Sequence, residues 1–446
     1  MLEAVTADHV DAVIAAIDRH DPQLAIWMRI AADGLTAGEG VELISQAGLQ
    51  VFLWYEVPRK HPADTWRPVT EAAGVLLSLL GLDRYAAIAR SPTTAAILDA
   101  WERSPAKGLA RFRAAQSESG VEPPDTDLLE WGEVLGMDES VGRQAVEHAL
   151  ERAITAGDLQ PGRGGWRRVA AEVCTQTLLA PAGDGSGRTV LQAVLDERVD
   201  TWVQLARPAA LMTWRERMRA WTPPDIQPSD VATAVAPMRW LLETCAAGVT
   251  LTPAGYLPPV IVRDAAGRFG WWEWPGQPRT EADIHQIGVL RQTAARLRLV
   301  SKRSRRLAVT PRGTRLVDDT VGLWHALAAT LACEDGYLAM LSELVAHRLL
   351  DGPALDDALE REIGPIVAAQ GWAANGVPVT ARLAGLAVHR ALYHWRLFGL
   401  LEEVRAKWEG GRPTGPNITA LNAVGRSTAI ALLRARATAP RTDLRG

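Results

Sequence analysis

Between Arg296 and Gly313 the chain reads RLRLVSKRSRRLAVTPRG, with seven cationic side chains (Arg296, Arg298, Lys302, Arg303, Arg305, Arg306 and Arg312) and no carboxylate. Widened to Ile284–Val317 the acid-free run holds nine cations, Arg291 and Arg315 being the other two. The whole chain carries 52 acidic against 48 basic residues, a formal charge of −4, so the positive charge is a local concentration. Uncompensated Lys and Arg at this density neutralise phosphates and release their counterions, which is the chemistry of salt-sensitive nucleic-acid binding. Gln292 and Arg296 have the reach for base edges, although residue type leaves open which side chains read bases and which hold phosphates. The same charges also suit a solvated loop tip with no ligand.

Other candidate chemistry is weaker. The stretch GDGSGR (183–188) has the amide density of a phosphate cradle, but no G-K-[ST] follows it, so it reads as a surface loop. His389 and His394 stand five apart on one helical pattern and so point to different faces, a poor arrangement for a shared metal. Cys174, Cys245 and Cys333 are widely spaced and odd in number, which predicts reduced thiols. With no HExxH, no Cys/His cluster and no G-x-S-x-G elbow, the sequence predicts a non-enzymatic protein with no cofactor and no metal. In GRFGWWEWPGQP (267–278) alternation places Trp272 and Trp274 on one strand face and Trp271 on the other, with burial of about half of them expected and any exposed aromatic serving as a binding anchor.

The elements that position the cationic run are legible around it. Thr280 followed by Glu-Ala-Asp forms a capping-box pattern with Asp283. Ile284, Ile287, Leu290, Ala294 and Leu297 then make one apolar stripe of a helix to about residue 297, leaving His285, Gln292 and Arg296 on the other faces. Alternation in RLRLV and RRLAVT around a polar SKRS turn predicts a β-hairpin with Leu307 and Val309 on one face. Thr310 and Pro311 then start another helix.

Helix, strand, basic turn and strand in this order resemble a winged helix-turn-helix, here over residues 236–330. The wording MRWLLETCAAGVTLTPAGYLPP, followed by LRLVSKRSRRLAVTPRGTRLV, is also similar to the C-terminal part of plasmid- and insertion-element-borne passenger proteins of actinobacteria. The resemblance covers about a fifth of the chain; LTPAGYLPP is its more distinctive motif, and TPRG recurs in many winged-helix regulators. It implies a recognition helix at about 281–297 entering a major groove and a wing tip at 301–306 on phosphates or in the minor groove. The implied partner is double-stranded DNA, contacted by Gln292, Arg296, Arg298, Lys302, Arg303, Arg305, Arg306 and Arg312.

Self-similarity extends the reading to the rest of the chain. Thr36 and Thr252, Leu82 and Leu299, Pro92 and Pro311, and Trp101 and Trp324 are separated by 216, 217, 219 and 223 residues, which aligns 76–92 with the cationic hairpin. Residues 141–179 and 381–437 share a second rhythm: a helix to Gly157 or Gly399, a short strand, a polar turn, a strand and a helix. The expected fold is therefore mainly α with short β-hairpins, as four tandem winged-helix units in a duplicated two-half arrangement. The expected domains are residues 1–115, 116–222, 223–345 with the basic wing, and 346–446, with the proline-rich stretch 221–230 between the halves.

Basic turns in the other units are weaker: Arg84 and Arg90 in the first, Arg163, Arg167 and Arg168 in the second, and mixed sign in the fourth. A mean hydropathy of −0.03 and the lack of an 18-residue apolar run predict a cytoplasmic protein without a membrane partner. Against DNA stands a second reading, a scaffold whose winged helices bind a protein partner or a second copy, supported by the net negative charge. Most of the 17 tryptophans sit singly in helical patterns, as Trp101 and Trp324 do, and are expected in the core.

Overall fold

The computed structural model describes residues 7–442 apart from 37–40, 42–43, 207–208, 219–225, 273, 333–335, 405–406, 410–411 and 415–416. The chain is mainly helical with small antiparallel sheets. Among the described residues no helix is long and apolar enough to cross a membrane. Two compact units are formed, Met1–Glu197 with Pro440–Leu444, and Arg198–Ala439. The division lies upstream of the proline-rich stretch 221–230.

The first unit contains helices α1 (Ala7–Asp18), α2 (Pro22–Thr36), α3 (Gln46–Val51), α4 (Val57–Lys60), α5 (Trp66–Leu79), α6 (Asp83–Ala89), α7 (Pro92–Arg103) and α8 (Pro105–Ser119). After them come α9 (Met137–Ala156) and α10 (Trp166–Leu179), and the division falls within α11 (Val190–Gln204). Ser91 and Ser104 accept the amides of Thr94 and Lys107, and each is followed by a proline in the first turn, where a missing N–H costs nothing. Trp54 donates to the Thr94 hydroxyl at 2.8 Å and Trp101 to the Trp54 carbonyl at 2.9 Å. Both rings are therefore core residues with their polar edge satisfied.

Two expected hairpins are absent from this unit. Residues 76–92 hold the end of α5, a turn at Gly81 (φ 74°) and α6; the alanine-rich DRYAAIA favours a helix over a strand. After Gly157 (φ 84°) the segment 158–165 turns through Gly162 and Gly165, both left-handed, and enters α10 without a strand. Among the described residues of the unit the only bridge is Pro181 to Thr189. The expected four winged units thus reduce here to helices.

The second unit continues from α12 (Ala209–Met218) into two modules of the same plan. The first comprises α13 (Pro228–Cys245), β1 (Val249–Thr250), α14 (Pro259–Phe269), α15 (His285–Arg296), β2 (Val300–Arg303), β3 (Arg306–Val309) and α16 (Pro311–Asp318). Helix α17 (Thr320–Ala332) follows. The second module comprises α18 (Gly336–Leu350), β4 (Ala354–Leu355), α19 (Asp356–Ala368), β5 (Ala373–Ala374), β6 (Val377–Pro378), α20 (Ala381–Leu397), β7 (Leu401–Val404), β8 (Lys407–Glu409), β9 (Arg412–Thr414), β10 (Ile418–Leu421) and α21 (Ala423–Ala437). The sheet orders are β1-β3-β2 and β4-β10-β7, so in both modules the last strand is central, between a two-residue strand and its hairpin partner. The expected helix, Gly399 stop, strand, turn, strand and helix over 381–437 is observed, with the pair β8–β9 added.

One apolar core runs through both modules, from Leu211 on α12 to Ala437 on α21. Trp324 on α17 is 3 % exposed and donates to Thr428 on α21 at 2.9 Å. Helix α18 carries a buried charge cluster: Glu343 accepts from Arg215 at 2.7 Å and from Arg436 at 3.2 Å, beside His347 at 3.9 Å.

Candidate nucleic-acid interface

Helix α15 is seated by its predicted stripe. Ile284, Ile287, Leu290 and Ala294 are buried and Leu297 half-buried, whereas His285, Gln292 and Arg296 are exposed on the outer face. The Thr280–Asp283 capping box is present, but it closes a 3-10 turn at Glu281–Asp283, and the α-helix begins only at His285. The backbone amides of Thr280 and Arg279 hold the Asp283 carboxyl below its usual range.

Glu281, two residues before Asp283, is buried and accepts from the Leu257 amide at 2.6 Å and from Arg291 at 2.7 Å. Arg291 also donates to the Gly255 carbonyl at 3.2 Å. One of the nine cations is thus an internal brace that ties the start of α15 to the loop between β1 and α14.

A hairpin forms, but later than expected: β2 begins only at Val300 and takes in Ser301–Arg303, which were expected in the turn, with Arg303 opposite Arg306 and Lys302 opposite Leu307. A two-residue turn needs left-handed backbone, and Ser304 supplies it at φ 52°. Two of the eight predicted contacts have prior engagements. Arg305 donates to the Leu251 carbonyl at 2.9 Å and Arg306 to the Ala247 carbonyl at 2.6 Å, both on the segment around β1. Both remain exposed, but their guanidiniums serve first to hold the hairpin to the body of the module. The side chains of Gln292, Arg296, Arg298, Lys302, Arg303, Arg312 and, on α16, Arg315 are exposed and make no hydrogen bond or ion pair with any described residue.

The other basic turns differ in kind. Arg168 pairs with Glu172, Arg163 donates to Gln160 at 2.9 Å, and Arg167 lies 4.9 Å over the Trp166 ring. In the GDGSGR loop Asp184 accepts the Ser186 amide and hydroxyl and pairs with Arg188, so its carboxyl is held down to about 2, chiefly by the hydroxyl. The loop folds around its own anion. His389 pairs with Glu360, and the described residues contain no group of three or more metal-ligating side chains. Trp271 stacks on Phe269 at 4.7 Å and Trp272 donates to the Gly276 carbonyl at 3.1 Å, both half-buried, while Trp274 is 73 % exposed. No strand is assigned at the described residues between 270 and 280, so the expected alternation of faces does not apply.

A second repeat, distinct from the one at 216–223 residues, connects the two modules. Gly270, Trp271, Gly276, Pro278 and Thr280 recur as Gly371, Trp372, Gly376, Pro378 and Thr380, 100 or 101 residues later. Past the hairpin the interval becomes 112, because β7–β10 contains 11 more residues than β2–β3. The match is structural in detail. Thr310 caps the Gly313 amide and Asn422 the Gly425 amide, the Thr310 and Asn422 amides donate to Leu299 and Leu400, and Ser301 and Glu402 each pair with an alanine, Ala308 and Ala420. Scanning for this G-W…G-x-P-x-T spacing would have found it.

Comparison with known proteins found no family model, no curated relative and no solved structure that matches the chain.

Proposed function

We propose that residues 228–318 form a winged-helix module that binds double-stranded DNA, with α15 as the helix in the major groove and β2–β3 as the wing on the backbone. The protein acts in this reading without catalysis, as a transcriptional or mobile-element-associated factor in the cytoplasm. Support comes from the element order, helix–strand–helix–helix–hairpin with the last strand central, and from the residues 236–330 that resemble such a domain. The observation that carries it is electrostatic: Arg296, Arg298, Lys302, Arg303, Arg312 and Arg315 are exposed and without partners in a run that contains no acid. Six engaged phosphates give a log–log salt dependence with a slope of about −5.

The test is fluorescence anisotropy with a 25-bp random duplex at several salt concentrations, comparing wild type with the triple variant Arg296→Ala, Lys302→Ala and Arg303→Ala. The triple variant is expected to lose affinity at least tenfold and to flatten the slope by about 2–3. Unchanged affinity, or wild-type binding indifferent to salt, sinks the reading. Arg305 and Arg306 are left intact so that a loosened hairpin is not mistaken for a lost contact.

A protein-binding role is favoured at one place. The outer face of α20 exposes Leu383 (40 %) and Leu386 (55 %), and the strand after it carries Glu402. On this reading the second module is the scaffold half of the protein and its partner is another polypeptide or a second copy. Sedimentation of wild type and of Leu383→Ser with Leu386→Ser addresses the second copy: a wild-type dimer that the variant dissolves supports it, and a monomer in both removes it.

A further inference from the structure

Helix α15 ends in a left-handed residue, and that residue is not glycine. Arg298 has φ 55°, with its amide donating to Ala295 at 2.9 Å and the Leu299 amide to Ala294 at 2.9 Å. This is the helix stop that glycine ordinarily provides, because an L side chain in the left-handed region crowds the neighbouring carbonyl. The second module has glycine there. Gly399 takes φ 60°, its amide donates to Arg396 at 3.0 Å and the Leu400 amide to Trp395 at 3.0 Å. The brace from the next helix is also shared: the Thr310 hydroxyl donates to the Arg298 carbonyl at 2.6 Å, and the Asn422 side-chain amide to the Gly399 carbonyl at 2.7 Å.

One frame therefore carries two residues. Arg298 brings strain to it, and its side chain is exposed and makes no hydrogen bond or ion pair with any described residue. Strained backbone that the surrounding structure over-determines is a marker of a functional position. We propose that Arg298 is a phosphodiester-binding residue locked at the junction of α15 and the hairpin, where it holds the DNA strand that passes between the groove-bound helix and the wing. Arg296 and Lys302 flank it at either end of that junction. The left-handed turn and the Thr310 brace fix the direction in which the side chain leaves the backbone. This inference rests on the DNA reading above.

The experiment pairs Arg298→Gly with two controls, each measured for duplex affinity across salt and for thermal stability. Arg298→Gly removes the cation and relieves the backbone together: affinity is expected to fall about tenfold, the salt slope to flatten by about 1, and Tm to rise by about 2 °C. Arg298→Lys keeps the charge and should retain most of the salt slope. Ser304→Gly relieves the other left-handed residue of the hairpin and should raise Tm with affinity within twofold. If wild type binds duplex and Arg298→Gly binds equally well, the inference falls while the DNA reading stands. If Arg298→Gly loses binding and also melts lower, Arg298 is a structural residue and the inference falls as well. If wild type binds no duplex at all, both fall.

Discussion

The two modules of the second unit share a backbone and differ in what they present on it. At matched positions the first has His285, Gln292, Arg298 and Ser301, and the second has Leu386, Tyr393, Gly399 and Glu402. The frame is kept by residues that both need. A Cβ on Gly313 would lie 2.3 Å from the Leu299 carbonyl oxygen, and one on Gly425 would lie 2.0 Å from that of Leu400. Tyr393 turns toward the first module, its ring 5.0 Å from that of His285. A conserved scaffold with divergent outer faces means that the plan of the fold does not determine what either module binds. The side chains on the third helix and the hairpin decide that.

The modules also handle buried charge differently, and breaking that charge gives the largest effects. Glu343 lies between Arg215 and Arg436 with no exposure, whereas Glu281 serves the one cation Arg291. Glu343→Gln takes the shared carboxylate from two arginines and is expected to cost about 3–5 kcal/mol in urea denaturation, more than Glu281→Gln. Equal losses would show that the two clusters carry the same structural weight. Next come Gly313→Ala and Gly425→Ala, each forcing a methyl against a backbone carbonyl and each expected to cost about 2–3 kcal/mol. A large loss at one site and a small one at the other would break the claim of a shared frame.

Much of the first module was legible before the structure, because its signals are local. The stripe Ile284–Leu297, the alternation around SKRS and the Thr310–Pro311 start each depend on neighbours within a few residues. The duplication was misread for the opposite reason: Thr36, Leu82 and Pro92 match Thr252, Leu299 and Pro311 in type while lying in α-helical surroundings, where alanine-rich sequence overrides a faint strand pattern. The true copy was obscured by the 11 residues added between β7 and β10. Nor can residue type separate Arg305 and Arg306 from Arg303. Their partners are main-chain carbonyls around β1, more than 50 residues away in sequence.

A pH effect distinguishes the modules on a smaller scale. Burial pushes His347 down to about 4, with Glu343 on its own helix, Arg215 and Arg217 on α12, and Asp351 as its charged surroundings. Burial pushes Glu343 up, but Arg215 and Arg436 outweigh it and leave the carboxyl below its usual range. Because the folded imidazole stays neutral while the unfolded one protonates near 6.5, stability is complete above that pH and declines as pH falls toward 4. About 2 kcal/mol is expected to be lost between pH 7 and 4.5, and His347→Gln should flatten the decline. Below about pH 4 the carboxylate adds to the loss. A wild-type profile that is flat to pH 4.5 would remove His347 as the cause.

The smallest effect tests the comparison most directly, by exchanging the outer faces. Ser301 and Glu402 stand at the same place in their hairpins, opposite Ala308 and Ala420. Ser301→Glu puts the second module's carboxylate among Arg298, Lys302 and Arg303, where it competes with a phosphate for the same cations. Duplex affinity is expected to fall about tenfold, equivalent to roughly 1.4 kcal/mol, with a shallower salt slope and little change in stability. Glu402→Ser should leave duplex binding within twofold, since the strand β7 of the second module carries acids, Glu402 and Glu403, where β2 carries Lys302. If Glu402→Ser instead strengthens binding several-fold, the second module also lies on the nucleic acid, and the division of labour between the two faces is wrong.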